Sequence, residues 1–178
     1  MTRLFAAAVL AVAGWSMAAG AATQTGNLTV RLSIVRDCQV NAGIDGQGAG
    51  DAVLDFGEYG VLNANVDAIS GSFGEGAIQV QCTRGTPYSI GLGSGENATD
   101  VNSRRMRGQA TADEYVSYQL YKAAARGSGD VWGDTGAGLL SRTATGDAES
   151  WTVYGRVPPQ TTPSAQLYQD NVLITVSY

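Results

Sequence analysis

Side chains that usually carry catalysis are scarce in this sequence. There is no histidine, there are two cysteines, and Lys122 is the single lysine. A serine or cysteine nucleophile needs an activating base, so the usual catalytic triads cannot be assembled from these residues. A pair of carboxylates remains available in principle, as in glycoside hydrolysis. The sequence therefore predicts a protein that is not an enzyme, with a carboxylate-dependent hydrolase of a cell-wall or matrix glycan as the alternative.

Two glycine-rich segments contain residue types that occur in ion and phosphate sites. Asp45, Asp51 and Asp55 could suggest calcium, but they lack the spacing of an EF-hand and its bidentate glutamate. The glycine loop at 91–95 has no lysine or helix after it, so a phosphate site is not indicated. We interpret the aspartates as turn residues and expect neither a metal ion nor a cofactor.

The first 22 residues have the composition of a secretory signal peptide. Arg3 supplies a positive start, residues 4–13 are apolar, and small residues at 19–22 suit a signal peptidase. A membrane anchor is the alternative, because residues 4–22 approach the length of a bilayer span. Glycine and serine interrupt that stretch, however, and no basic stop-transfer residues follow it. We predict cleavage near Ala22 and export through the periplasm to the cell surface or beyond.

Export favours a disulfide between Cys38 and Cys82, since an even number of cysteines in an exported chain is usually oxidised. A metal site is the alternative, but it would lack histidine ligands and a CxxC spacing. Closing the loop between the two cysteines would stabilise the fold by roughly 4 kcal/mol in the chain-entropy model.

The length and net charge of the chain limit the number of domains and the classes of partner that we expect. Removal of 22 residues from 178 leaves 156, which is enough for one domain with its own core. Because Arg3 leaves with the signal peptide, 10 basic residues then stand against 16 acidic ones, a net charge of −6. This acidic balance argues against nucleic acid or an anionic membrane as partner. We also expect no membrane insertion of the mature chain.

The elements that must position these residues are predicted to be β-strands. Apolar and polar residues alternate along the chain with the period of two that places alternate side chains on opposite faces of a strand. Between these runs lie Gly-, Asp-, Asn- and Ser-rich connections, and the one helix-like stretch, 121–126, is too short to stand alone. We therefore predict an all-β sandwich of two facing sheets. The alternating apolar residues include Leu28, Val30, Leu32 and Ile34 near the start, Ile78, Val80 and Cys82, Tyr88, Ile90 and Leu92, Val116, Tyr118 and Leu120, Trp151 and Val153, and Val172, Ile174, Val176 and Tyr178 at the end.

The last alternating run continues to Tyr178. A seven-stranded immunoglobulin-like sandwich counted back from that residue would lack its closing strand. Such a gap would expose apolar side chains and unpaired backbone groups, which soluble proteins normally cover. We therefore expect something to fill this gap.

Several runs, taken in order, resemble the spore coat protein U domain family and, within it, the pilin subunits of archaic (Csu-type) chaperone-usher pili. The resemblance covers essentially the whole mature chain. The runs are Thr25–Ile34, Cys38–Val40, Leu54–Gly57, Ile78–Cys82, Arg104–Gly108, Tyr154–Pro158, and Tyr168–Asp170 followed by Val172–Tyr178.

The resemblance implies an immunoglobulin-like fold without its seventh strand, assembled into a surface pilus that serves adhesion and biofilm formation. A periplasmic chaperone would lend a strand to the groove, and at the outer-membrane usher the N-terminal extension of the neighbouring pilin subunit would replace it. Residues 23–36 would then be the donor strand and 37–178 the pilin domain. Leu28, Val30, Leu32 and Ile34 would be the donor side chains, while Val172, Ile174, Val176 and Tyr178 would form the groove-edge strand gripped by the chaperone.

Alternatives to this reading remain. The first alternating run could pair within its own domain, and the chain could be an exported binding, spore-coat or matrix protein that never polymerises. Because the chain has no room for an additional N-terminal adhesin domain, the resemblance favours a rod subunit or a minor adaptor over a tip adhesin. We expect the cluster Arg104, Arg105 and Arg107 to form a solvated turn, with contact to the acidic face of a neighbour as the alternative.

Overall fold

The computed structural model describes residues 22–42, 52–70, 77–111 and 113–178. Nearly all of the predicted signal peptide, and also Asp45 and Asp51, lie outside these ranges. No helix within the described ranges is long and apolar enough to cross a membrane. The chain divides into two units, residues 1–33 and residues 34–178.

In the first unit, residues 22–33 form neither a helix nor a paired strand. Their apolar side chains are in water: Leu28, Val30 and Leu32 are 89%, 83% and 87% exposed.

The second unit is an all-β domain, and its described strands pair only in antiparallel fashion. The strands are β1 Cys38–Ala42, β2 Val66–Ile69, β3 Ile78–Cys82, β4 Pro87–Leu92, β5 Arg105–Gly108, β6 Tyr115–Ser117, β7 Gln119–Tyr121, β8 Leu140–Thr143, β9 Glu149–Trp151, β10 Tyr154–Val157, β11 Tyr168–Gln169 and β12 Ile174–Ser177. They form four three-stranded sheets with the orders β1-β3-β9, β2-β10-β7, β11-β5-β6 and β12-β4-β8. Short 3₁₀ turns lie at Ser128–Asp130 and Gly136–Gly138.

The all-β prediction is confirmed, but the expected two facing sheets are divided into four shorter ones. The run from Tyr115 to Tyr121 shows why. At Tyr118 its backbone N–H donates to the carbonyl of Arg104 at 3.0 Å, and the chain changes partner from β5 to β10. One alternating stretch of sequence thus supplies strands to two sheets.

The core follows the alternation of the strands. In β3, Ile78, Val80 and Cys82 are buried while the two glutamines between them are exposed. The buried apolar residues of all sheets form one cluster, and burial of this area is the main favourable term in folding. Its members are Val66, Ile78, Val80, Cys82, Tyr88, Ile90, Leu92, Val116, Tyr118, Leu120, Trp132, Leu140, Ala144, Val153 and Val157.

Arg104 is fully buried, at 0% exposure, and its guanidinium is surrounded by acceptors. Its Nη2 donates to the carbonyls of Leu92, Gly93 and Trp132 at 2.6–2.8 Å, and its Nη1 donates to Oε1 of Gln119 at 2.7 Å. Burial lowers the pKa of this group from its ordinary value, but an arginine stays charged in proteins. The prediction of a solvated turn is therefore wrong for Arg104, because the side chain lies on the inward face of its segment.

The runs Leu54–Gly57 and Tyr154–Pro158 contact each other at Gly155 of β10. A Cβ at that position would lie 2.8 Å from Leu54 Cδ2 and from Phe56 Cζ, so glycine is what lets these side chains lie against the strand. Asp55, between them, accepts a hydrogen bond from Gly57 N at 2.8 Å, and Gly57 has φ +82. Asp55 is therefore a turn residue, as expected.

A polar cluster connects two of the sheets. Tyr88 of β4 donates a hydrogen bond to the carboxylate of Glu149 in β9, and Trp151 Nε1 donates to the Tyr88 hydroxyl at 3.1 Å. Burial, followed by the bond to Glu149, raises the pKa of Tyr88 to about 12. The same bond holds the pKa of Glu149 below its ordinary value.

Cys38 and Cys82 lie directly opposite each other in the β1–β3 pair and form a disulfide across 44 residues of sequence. The bond attaches the first strand of the domain to a central strand.

We predict that replacing both cysteines with serine lowers the free energy of unfolding by about 2 to 5 kcal/mol, because the loop between them regains its freedom in the unfolded chain. Pulse proteolysis of the mature chain in urea measures this change. Wild-type protein treated with reductant is the control and should lose a similar amount. Mass spectrometry of unreduced protein should find two hydrogens fewer than in reduced protein, and two alkylatable thiols in exported material would contradict the assignment.

We also predict that Arg104→Met is strongly destabilising, on the order of 3 kcal/mol or more, because it leaves several buried carbonyls without a donor. Arg105→Met is the matched control. Its side chain is exposed, so we expect a loss of about 1 kcal/mol or less in the same urea assay. Equal losses for the two variants would contradict the role assigned to Arg104.

Candidate functional site

Each of the four described sheets has two edge strands, and the first and last strands of the domain, β1 and β12, are among them. Among the described residues, β1 pairs with β3 on one side only, and β12 pairs with β4 on one side only. Each free edge presents backbone N–H and C=O groups that a further strand could bind.

The ends of these two edge strands lie close together. The hydroxyl of Tyr178, just after β12, donates to Oδ1 of Asp37, just before β1, at 3.3 Å. The two residues are 141 positions apart in the sequence. The first and last strands of the domain therefore border one region of its surface.

The side chains beside this region are apolar and incompletely covered. Val172, Ile174 and Val176 are half-buried and pack against the core, while Leu173 between them is 74% exposed. On the other strand, Cys38 and Val40 are also half-buried. The arrangement combines free backbone groups with apolar side chains, which is the chemistry that binds an added β-strand.

The backbone just before β1 is hydrogen-bonded to one threonine, Thr83. Thr83 Oγ1 donates to the carbonyl of Val35 at 2.9 Å and accepts from the N–H of Asp37 at 3.1 Å. Thr83 N also donates to the carbonyl of Asp37 at 2.9 Å. The backbone from Val35 onward is thus anchored to the residue that follows β3.

The residues predicted from the sequence fall into two groups. Val172, Ile174, Val176 and Tyr178 belong to the edge strand or directly adjoin it, as described above. Ile34 is 77% exposed, and Leu28, Val30 and Leu32 are exposed in the separate N-terminal unit. Their role as donor side chains stays a prediction.

Sequence reasoning missed Asp37 and Thr83, which hold the start of β1. No local pattern marks them, because their partners lie 46 to 141 residues away. It also placed Arg104 in water, although the apolar Met106 two positions later indicates which face of β5 points inward.

Metal binding finds no support in the described residues, which contain no group of three or more histidine, cysteine, aspartate or glutamate side chains arranged to hold an ion. The roles of Asp45 and Asp51 stay open, because both lie outside the described ranges.

Comparison with known proteins points to one family. A family model described as the Spore Coat Protein U domain matches residues 24–175. A curated relative, Protein U of Myxococcus xanthus, is 34% identical over 165 residues, which are 90% of this chain and 88% of Protein U.

A solved structure shows the same fold. It is a complex of a chaperone and a tip adhesion subunit from archaic chaperone-usher Csu pili of Acinetobacter baumannii. One of its chains matches 82% of this chain with a TM-score of 0.52 and 17% identity. This chain spans only 41% of the length of that solved chain. The likeness confirms the predicted immunoglobulin-like architecture.

Proposed function

The chain belongs to the spore coat protein U domain family, and on that premise we propose that it is a structural subunit of a surface fibre assembled by donor-strand exchange. In this proposal a periplasmic chaperone first covers the region between β1 and β12. At an outer-membrane usher, the N-terminal segment of a neighbouring subunit then replaces the chaperone. The assembled pilus would serve adhesion and biofilm formation.

The observation that carries the proposal is the pair of free edges linked through Asp37 and Tyr178. One added strand lying between β1 and β12 would bond to both edges at once. It would also cover the half-buried side chains of Val172, Ile174 and Val176. A surface of this kind is costly to leave in water, and in this proposal the chaperone would cover it until assembly.

The N-terminal segment has the side chains that such a groove needs. Leu28, Val30, Leu32 and Ile34 alternate with polar residues and are all at least 77% exposed. Burying four aliphatic side chains would contribute roughly 6 to 12 kcal/mol, an upper bound before the cost of ordering the segment. In this proposal, main-chain hydrogen bonds of the added strand would supplement that burial against the cost of association.

A second candidate is an exported coat or matrix protein that does not polymerise. Its support is the 34% identity to Protein U over nearly the whole chain, together with the family's name. In that case the N-terminal segment would complete the chain's own sandwich.

Co-expression with a periplasmic chaperone from the same genome distinguishes the two candidates. A pilus subunit should be polymeric or insoluble alone and should elute with the chaperone as a defined complex in size-exclusion chromatography. A non-polymerising coat protein should elute as a monomer whether or not the chaperone is present, and that result would overturn the proposal.

We predict that Val30→Arg blocks fibre growth but leaves export and the chaperone complex normal. A long charged group would enter an apolar pocket of the neighbouring subunit, where an unpaired buried charge costs several kcal/mol. The mutant's own domain should fold normally, because its donor segment does not belong to its own core. Fibre length at the cell surface, measured by electron microscopy, is the readout.

Thr29→Arg is the matched control, since it adds the same charge one residue earlier on the polar face of the same segment. Fibres of normal length are expected from it. Full-length fibres from Val30→Arg would remove the donor role from this residue. Misfolding of Val30→Arg before it reaches the chaperone would place the segment inside its own sandwich, as the second candidate requires.

We further predict that deletion of residues 173–178 abolishes recovery of the chaperone complex, because β12 provides one of the two edges that the proposal assigns to the groove. Since that deletion also removes core contacts, a pair of point variants sharpens the test. Ile174→Arg should reduce co-purification with the chaperone, whereas Thr175→Arg, on the exposed face, should not. Normal co-purification of the truncated chain would rule out β12 as the strand that the chaperone grips.

A further inference from the structure

A polar groove lies on the outward side of β5 and β6, outside the strands assigned to assembly. Its volume is about 540 Å³, which is in the range of ligand sites, and a smaller groove of about 220 Å³ shares Glu96, Asn97 and Arg107 with it. None of the lining residues belongs to β1 or β12. The larger groove is lined mainly by Asn97, Thr99, Ser103, Arg105, Arg107 and Tyr115.

Arg105 is held in one orientation at this groove. Its Nε donates to the carbonyl of Asn97 at 2.6 Å, and its guanidinium lies 4.0 Å from the centre of the Tyr115 ring. Within the described part of the chain, its two terminal nitrogens have no hydrogen-bond partner. A planar guanidinium fixed in this way can bind a carboxylate through two parallel hydrogen bonds.

The loop that holds Arg105 through Asn97 is itself anchored by Asp170. One carboxylate oxygen of Asp170 accepts from Glu96 N at 3.0 Å and from Asn97 Nδ2 at 2.8 Å, and the other accepts from the Tyr118 hydroxyl at 2.6 Å. Gly95, with φ +86, is needed here, since a Cβ would overlap the Asp170 carboxylate. The loop is thus positioned before any ligand arrives, which lowers the entropic cost of binding.

The charge of the groove differs from that of the whole chain. The chain has a net charge of −5, whereas the two adjoining grooves are lined by two arginines, Arg105 and Arg107, and two acidic residues, Glu96 and Asp170. Asn171 Nδ2 donates to the Glu96 carboxylate at 3.2 Å, so part of that acceptor is already occupied. An anionic group that approaches Arg105 therefore meets a surface without the excess negative charge of the rest of the protein.

We propose that this groove binds an acidic polysaccharide, with Arg105 holding the carboxylate of a uronic acid unit. The neutral lining supports a sugar over a peptide or a small ion. The Thr99 hydroxyl can donate to and accept from a saccharide hydroxyl, and Asn97 Oδ1 and Ser103 Oγ can accept, although Asn97 Nδ2 already donates to Asp170 and Ser103 Oγ to the carbonyl of Asp100. The two adjoining grooves give room along a chain. The inference goes beyond fibre assembly, and it applies equally to a subunit in a pilus and to a non-polymerising coat protein.

The test measures binding of oligogalacturonate to the full mature chain. The protein is recovered after export and immobilised without further processing. We expect Arg105→Gln to weaken binding roughly ten- to hundredfold, the usual effect of losing a charge-assisted hydrogen bond. Arg142→Gln is the matched control. It removes the same charge from an arginine that also stacks on an aromatic ring, 4.9 Å from Trp151, but does not line the groove. Binding by this control should be unchanged.

Two further variants keep the test independent of charge and folding. Arg105→Lys keeps the charge but loses the planar fork, and we expect it to bind more weakly than wild type. Thr99→Trp fills the groove at an exposed position without changing the charge, and it should also reduce binding. Each variant is checked for its disulfide and for wild-type stability in urea.

Three probes identify the ligand class: a neutral glucan oligomer, a sulfated glucan and polyglutamate. Tighter binding of oligogalacturonate than of all three supports the proposal. Equal binding of the neutral glucan would show that the groove does not recognise a carboxylate, which would overturn the proposal. Preference for the sulfated glucan or for polyglutamate would replace the uronate with a sulfate or with an acidic peptide and overturn the proposal. Absence of oligogalacturonate binding to wild type, or equal losses in Arg105→Gln and Arg142→Gln, would also overturn it.

Discussion

The fold depends on a buried cation that has only neutral partners within hydrogen-bond distance. Arg104 connects the end of β4, through Leu92 and Gly93, with Trp132 and with Gln119 in β7. Its own carbonyl accepts from Tyr118, at the point where one run of sequence passes from β6 to β7. Desolvating a guanidinium is costly, and it is tolerated here because several strong acceptors surround the group. Three of the four sheets are positioned relative to one another by this side chain and its neighbours.

The burial of Arg104 also determines what the surface shows at β5. Since alternate residues of a strand face opposite sides, an inward Arg104 and Met106 require an outward Arg105 and Arg107. The anchored loop at 94–97 then closes one side of the polar groove through Asp170. Two consecutive arginines thus have different roles: Arg104 is buried and stabilises the fold, while Arg105 is exposed and is the proposed ligand-binding residue.

The edges of β1 and β12 pose a different physical problem, because both have unpaired backbone groups among the described residues. The disulfide holds β1 against β3, and the Tyr88–Glu149 bond links β9 to β4, so the two sheets that carry the edges are cross-connected. β1 and β12 nevertheless keep unpaired backbone groups beside half-buried aliphatic side chains, within the described part of the chain. In the proposed assembly, such a rigid framework would favour binding of an added strand, because the framework would lose little further entropy when the strand arrives.

The sequence by itself determined the all-β class, the inward faces of β3, β4 and β6, the turn role of Asp55 and the apolar character of the last strand. These properties are local, since a period of two and a turn residue can be recognised within a few positions. Only the tertiary structure decided that Arg104 is buried, that Asp37 lies beside Tyr178, and that Leu54 and Phe56 cover Gly155. Each of these contacts joins residues that are distant in the chain. Which strands pair is decided by how the whole domain satisfies its backbone and buried polar groups, and no single segment contains that information.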